Sequence, residues 1–189
     1  MSTRLQLPPD SVALHELAAG EQVELFGDAL TMRDAALKRL EALVRAGEKP
    51  PFDVAGQLIF HAGPTPPAAG RPTGAIGPTT SERMDRFLGM LFELGCRATL
   101  GKGPRSAEAR ELHEAYGAVY LAAVGGIGAV YGAMVEEMES VAWEELGAEA
   151  VFRVRLCGLP ALVAIDARGD DYLARQYEAH RQNRPGNLD

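Results

Sequence analysis

Short apolar runs alternate with helix-period segments along this chain, and glycine stands at most of the switches between them. That alternation limits the fold more than any other feature. Strands separated by helices bury their apolar faces by forming a sheet with helices laid against it. Glu21–Phe26 alternates polar and apolar residues and ends at Gly27, as a short strand does. Thr31–Ala46 reads as a helix with Met32, Ala36, Leu40 and Leu43 on one face, Thr31 placed to cap it and Gly47 to end it. Gly56–His61 is a strand that runs into a Gly/Pro-rich loop, Ala62–Pro78. Thr80 or Ser81 then caps a second helix, with Met84, Phe87, Leu88 and Leu91 at helical spacing and Gly95 as its stop. Cys96–Leu100 is the next strand, and Ser106 caps a helix reaching about Tyr116. Ala118–Val124 reads as a buried strand, Gly125-Gly126 breaks it, and Ile127–Met138 reads as a helix. Val151–Leu156 and Leu162–Ile165 read as two strands joined around Gly158 and Pro160. From Asp171 the sequence is polar, a surface helix or a loose tail. No internal repeat occurs, and the Pro/Gly loop does not separate two compositions, so the reading is one α/β domain.

Composition narrows the function classes. Apolar residues make up 47% of the 189, enough for a core. Asp and Glu number 26 against 19 Lys and Arg, a net charge of -7 that argues against a general nucleic-acid binder. Two cysteines, Cys96 and Cys157, make no disulfide scaffold and cannot alone complete a four-thiolate metal or iron–sulfur site. Met1–Pro9 contains no long apolar core of a signal peptide. Ala118–Val135 runs 18 residues without a charge and holds Gly128-x-x-x-Gly132. The Gly125-Gly126 break inside it favours a strand and a close-packed helix over a membrane span, and with that a cytoplasmic location.

The loop 62–78 is the segment richest in functional signals, because about 16 residues without secondary structure are unusual inside a compact domain. At its end, Gly77-Pro78 leads to Thr79, Thr80 and Ser81, whose hydroxyls and N–H groups sit at a helix start, a place that favours an anion. Arg83 adds a guanidinium able to hold a carboxylate through two hydrogen bonds. Plain capping beside a solvated arginine accounts for the same residues. Leu100-Gly-Lys-Gly103 puts Lys102 at the carboxyl end of a strand, where open α/β sheets bind ligands, though a turn lysine in water fits equally. Arg33, in a first helical turn, opposes the helix dipole, so either an anionic ligand or a nearby acid must answer it. His61 ends a strand and is either a ligand or acid–base group, or a structural histidine. His15, His113 and His180 lack metal-ligand spacing, and Gly126-Ile-Gly128 is no dinucleotide fingerprint because Tyr131 replaces its third small residue. Cys96 belongs in a buried strand, and Cys157 is the more exposed of the two.

These segments together resemble one family. Arg33-Asp-Ala-Ala36, Pro51-Phe-Asp53, Ala62-Gly-Pro64, Gly77-Pro-Thr-Thr-Ser81 with Arg83-Met-Asp85, and Gly101-Lys-Gly103 stand in its order. So do Ala118–Gly126, Glu145-Leu-Gly147 with Glu149-Ala150, and Pro160 with Val163-Ala-Ile-Asp166. The chain is similar, over residues 5 to 172, to the beta subunit or C-terminal domain of the class I (iron–sulfur) fumarate hydratase and L-tartrate dehydratase family. That resemblance implies a single swivelling β/β/α domain over residues 1–172, with 173–189 as a polar C-terminal tail. It implies a heteromeric hydro-lyase acting on a small dicarboxylate, and a [4Fe-4S] cluster bound by a partner alpha subunit rather than by this chain. Thr79 and Lys102 are implied as catalytic. Arg33, Arg83, Thr80 and Gly77 are implied as substrate-binding, with no metal or cofactor ligand here. One departure stands out: the family commonly has His after Arg-Asp-Ala-Ala, where this chain has Leu37. Hydration of fumarate to malate is the first reading, the beta subunit of an L-tartrate dehydratase is the runner-up within the family, and a non-catalytic module that keeps the anion pocket is the competing reading from another class.

Overall fold

The computed structural model describes residues 2–182. The chain runs β1 (Thr3–Leu7), α1 (Ser11–Glu16), β2 (Gln22–Thr31), α2 (Asp34–Arg45), β3 (Leu58–Phe60), β4 (Ala62–Pro64) and β5 (Ile76–Pro78). A 3-10 helix, Ser81–Phe87, leads directly into α3 (Leu88–Glu93). Then come β6 (Ala98–Gly101), α4 (Ala107–Tyr116), β7 (Val119–Ala122), α5 (Gly128–Ala133) and β8 (Val135–Ala142). A second 3-10 helix, Glu144–Glu149, precedes β9 (Val151–Ile165) and α6 (Tyr172–Gln182). The mixed α/β class expected from the alternation is what the structure shows.

Seven strands form one sheet in the order β1-β2-β3-β6-β7-β9-β8, and β9 also pairs antiparallel with β2. That second pairing closes β2, β3, β6, β7 and β9 into a ring. Four of its five strands, β2, β3, β6 and β7, are mutually parallel, so their carboxyl ends share one rim. Leu25, Leu58, Phe60, Leu100, Leu121 and Val163 fill the ring, all essentially inaccessible. A second core lies under the helices, where Leu37 and Leu40 of α2 meet Met84, Phe87, Leu88 and Leu91.

Several local expectations are corrected. Thr31 does not cap α2: it is the fully buried last residue of β2, and its Oγ1 accepts from the Phe152 amide at 3.1 Å. The helix starts at Asp34, and a distant carboxylate caps it, with the Ala35 amide donating to Glu149 Oε2 at 2.7 Å. The second helix is split into the 3-10 turn and α3, and Thr80 makes no capping bond. Ser106 does cap α4, its Oγ accepting from the Ala109 amide at 3.1 Å. The helix expected over Ile127–Met138 stops at Ala133. Val135–Ala142 instead pairs with β9, because the free edge of β9 offers those backbone groups partners while Glu136, Glu137 and Glu139 turn outward. The two strands expected at 151–156 and 162–165 are one strand. Gly158, at φ +76°, absorbs an extra residue as a bulge between Leu159 and Cys157, so the chain bends without ending. The loop 62–78 holds a small hairpin, β4 with β5. The polar segment after Asp171 is the surface helix α6 up to Gln182, and the remainder, 183–189, lies outside the described residues. The uncharged stretch 118–135 is divided among β7, α5 and the start of β8; among the described residues no helix is long and apolar enough to cross a membrane.

The hairpin is held against α5 by glycine. A methyl group on Gly132 would strike the carbonyl oxygen of Gly74, and one on Gly128 would come 3.3 Å from Gly77 Cα. Gly89 in α3 has open space at that point. Gly132→Ala should therefore cost roughly 1–3 kcal/mol and lower the melting temperature by about 2–4 °C for each kcal/mol. Gly89→Ala should be neutral or stabilising by up to about 1 kcal/mol. Thermal unfolding followed by circular dichroism checks the pair, and equal melting temperatures would contradict the packing described.

Candidate functional site

The shared rim of the parallel strands gathers the residues with the most chemistry. Arg33 follows the end of β2, His61 follows β3, Lys102 follows β6, and Val124-Gly125 follow β7. Ligands of α/β sheets bind outside the carboxyl ends of the strands, so this edge is the natural place for a site.

Backbone hydrogen bonds knit the rim together. The Thr79 amide donates to the His61 carbonyl at 2.6 Å, the Lys102 amide to the Thr79 carbonyl at 3.0 Å, and the Ser81 amide to the Lys102 carbonyl at 2.9 Å. Thr80 and Lys102 form a parallel bridge. This crossing is possible because residue 101 is glycine: a side chain there would run into Ser81 Oγ. Thr79, Thr80 and Lys102 are thus brought together through bonds far apart in sequence. The Lys102 side chain lies against Gly125, where an added methyl would sit 3.3 Å from its Cδ and 3.8 Å from Nζ.

Arg33 and Arg83 occupy the neighbouring N-terminus of α2. Arg33 rests on Gly63, whose hypothetical methyl would come 2.9 Å from Nη1. Gly63 in turn pairs with Gly77 in the hairpin. Arg33 is 3.5 Å from Glu149, and Arg83 is 2.7 Å from Asp34, the first residue of α2. The acid that Arg33 requires is therefore present within the chain. Those acids orient the guanidinium groups without exhausting them, since each arginine carries five N–H donors and these contacts use only a part. Arg83 is exposed, Lys102 and Thr80 are half-buried, and Thr79 is nearly buried, so the cluster forms one open wall.

The remaining candidates resolve as structural. His61 is fully buried; its Nδ1 donates to the Met32 carbonyl at 3.1 Å, and burial, with Arg105 beside it, pushes its pKa down to about 3. His113 is likewise buried on the Ala109 carbonyl at 2.7 Å with its pKa near 3. Both are neutral imidazoles in the folded chain. Leu37 is fully buried in the core under α2, so this position contributes packing. Burial pushes the Cys96 thiol up to about 12, and Cys157 is exposed on β9. Among the described residues no group of three or more His, Cys, Asp or Glu side chains is arranged to hold a metal ion.

Sequence reasoning missed the groups beneath the wall. Arg105 is buried and bonded to Asp85 at 2.6 Å, to the Ser81 carbonyl at 3.1 Å and to Thr99 Oγ1 at 3.0 Å. Asp85 and Glu149 lie in motifs that drew notice, but local spacing gives no sign of their long-range partners. A buried charge on a loop residue such as Arg105 has no periodic signature at all.

The neutral histidines set a pH dependence. Their folded pKa lies below the unfolded value of about 6.5, so between pH 6.5 and about 3 the unfolded chain binds more protons and stability falls as pH falls. Denaturant unfolding between pH 7 and 5 should show a slope rising toward about 2.7 kcal/mol per pH unit, two protons' worth. His113→Asn should roughly halve it; a pH-independent stability over that range would contradict the burial of both rings.

Comparison with known proteins identifies the family. The model of the family described as fumarase C-terminus matches residues 3–176. The anaerobic class I fumarate hydratase of Escherichia coli K12 is 33% identical over 161 residues, which cover 84% of this chain but 29% of that protein. Fumarate hydratase 1, mitochondrial, of Leishmania major is 33% identical over 154 residues, 80% of this chain and 28% of that protein. This chain thus spans under a third of the length of those relatives. The "Putative L(+)-tartrate dehydratase subunit beta" of Methanocaldococcus jannaschii is 35% identical over 161 residues, 82% of this chain and 83% of that protein. With the family match running nearly end to end, the chain belongs to the fumarase C-terminus family.

Proposed function

We propose that this chain is the beta subunit of a heteromeric hydro-lyase that reversibly adds water to a small dicarboxylate, fumarate to malate, in the cytoplasm. One observation supports the reading: the backbones of Thr79 and Lys102 are hydrogen-bonded at the carboxyl ends of the parallel strands, and Arg33 and Arg83 are anchored at the neighbouring start of α2, in a chain whose net charge is -7. Two of the three cations are paired with Glu149 and Asp34, so the fit to a doubly anionic substrate rests on the guanidinium donors those acids leave free and on the Lys102 ammonium.

Water loss from a 2-hydroxy dicarboxylate requires removal of a weakly acidic proton next to a carboxylate, and charge accumulates on that carboxylate as the proton leaves. Guanidinium groups already oriented by Asp34 and Glu149 can hold the carboxylates through paired hydrogen bonds. The Lys102 ammonium, resting on Gly125, adds a compact charge. A threonine hydroxyl is a weak base at its ordinary pKa, so Thr79 moves a proton only with local activation, or positions the group that does. The [4Fe-4S] cluster implied by the family resemblance belongs, on this reading, to the alpha subunit. The residues of this chain do not fit as its ligands: Cys96 is buried and held protonated, and Cys157 stands far along β9 from the rim.

The open wall is consistent with half of a composite site. Val124 and Val130, 64% and 49% exposed, stand at the β7 end and on α5 beside Gly125, offering apolar surface where a partner would close over Lys102. The match along 83% of a protein named as a beta subunit supports a separate partner chain, and it makes L-tartrate the second substrate to consider.

Anaerobic co-expression with the alpha partner, followed by absorbance assays with fumarate, malate and tartrate, tests the proposal. Conversion of one of them is expected; conversion of none leaves a non-catalytic dicarboxylate-binding module. In the active pair, Thr79→Ala and Lys102→Ala should each lower kcat by roughly 100-fold or more with the melting temperature unchanged. Arg83→Lys should raise KM by about tenfold, because a lysine cannot reproduce the paired hydrogen bonds. Wild-type kinetics in these variants would remove the residues from the site.

A further inference from the structure

We infer that Arg105 is a positioning residue: a buried guanidinium that sets the Thr79–Ser81 and Lys102–Gly103 backbones in register beneath the rim. The inference rests on the proposed dicarboxylate site above, and it concerns a residue that does not itself face that site.

The Arg105 side chain is completely inaccessible. Its Nη1 donates to the Ser81 carbonyl at 3.1 Å and to Asp85 Oδ1 at 2.6 Å, and its Nη2 donates to Thr99 Oγ1 at 3.0 Å. The guanidinium lies 4.5 Å from the centroid of the Tyr120 ring, and the Tyr120 hydroxyl donates to the Gly103 carbonyl at 2.7 Å. Asp85 uses its other oxygen to accept from the Ser106 amide at 2.8 Å. The group therefore grips one carbonyl just beyond Thr80 and, through Tyr120, one just beyond Lys102. Between those grips lie the two bonds that align the candidate catalytic residues, Lys102 N–H to Thr79 O and Ser81 N–H to Lys102 O.

Charge explains why an arginine is needed. A buried cation requires a partner, and Asp85 supplies it, while the facing imidazoles of His61 and His113 stay uncharged. A planar fork can satisfy Ser81, Asp85 and Thr99 from fixed directions at once. A single ammonium cannot. Displacement of Thr79 or Lys102 by as little as about 1 Å is enough to cost about 100-fold in rate. Arg33 stands at the start of α2, apart from this network, and Arg83, although it lies in the 3-10 helix between Ser81 and Asp85, has its guanidinium anchored on Asp34 of α2, so substrate binding should feel the change less than turnover.

The test uses Arg105→Lys and the milder Thr99→Val, which removes one acceptor and keeps the guanidinium. In the chain itself, amide hydrogen exchange by NMR should speed at Lys102 and Ser81 by at least about tenfold in both variants, with Leu25 in β2 unchanged. In the assembled enzyme, kcat should fall about 10- to 100-fold while KM stays within about threefold. Arg105→Lys combined with Lys102→Ala should lose no more than about threefold beyond Lys102→Ala alone, because both act through one group. Unchanged exchange at Lys102 and Ser81 would overturn the inference, whether or not the enzyme converts a dicarboxylate. Multiplying kinetic losses in the double variant, or a lowered melting temperature with kcat unchanged, would overturn it too. Should Arg105→Lys fail to fold, Thr99→Val carries the same readouts. If the wild-type pair is inactive on every substrate, the function fails and the exchange result still decides the role of Arg105.

Discussion

The antiparallel pairing of β9 with β2 is the contact on which the rest depends. It runs from Gln22 opposite Leu162 to Thr31 opposite Phe152, and with the β7 pairing it turns a seven-stranded sheet into a closed ring. Closure removes two would-be edges and encloses Leu25, Phe60, Leu100 and Val163. The parallel ladders from β2 to β7 place the strand ends on one rim, and the closure by β9 holds that rim curved around the core.

At that rim the electrostatics run in two tiers. The upper tier is open: Arg33 and Arg83 are each steadied by an acid at the start of α2, and Lys102 rests on glycine. Surface ion pairs of this kind contribute little stability, so their value lies in orientation. The lower tier is sealed, with Arg105 and Asp85 bonded to the backbone that carries the upper tier. The net charge of the chain hides both, because the acidic excess is spread elsewhere, for example over Glu136, Glu137 and Glu139 on β8.

What could be read from the sequence followed from short-range physics. The helix bodies of α2 and α4 and the Ser106 cap leave local marks and stand in the structure, while the strand read from Cys96 begins at Ala98, with Cys96 buried just before it. What could not be read depends on partners far away. Val135–Ala142 is a strand because β9 has an edge to offer, and Glu149 caps α2 from 114 residues away. Thr31 looks like a cap until β9 buries it. The candidate site divides in the same way. Thr79, Arg83 and Lys102 stood out as residue types at element ends, whereas Arg105, Asp85 and Glu149 matter only through contacts that folding creates.

The proposed function requires the carboxyl-end rim to bind a dicarboxylate at one place. A crystal structure of this chain with its alpha partner and a bound, unreactive dicarboxylate measures it directly. Carboxylate oxygens are expected within hydrogen-bond distance of Arg33, Arg83 and Lys102, with Thr79 facing the central carbons. A dicarboxylate bound elsewhere, with those side chains in solvent or against the partner's protein surface, would contradict it.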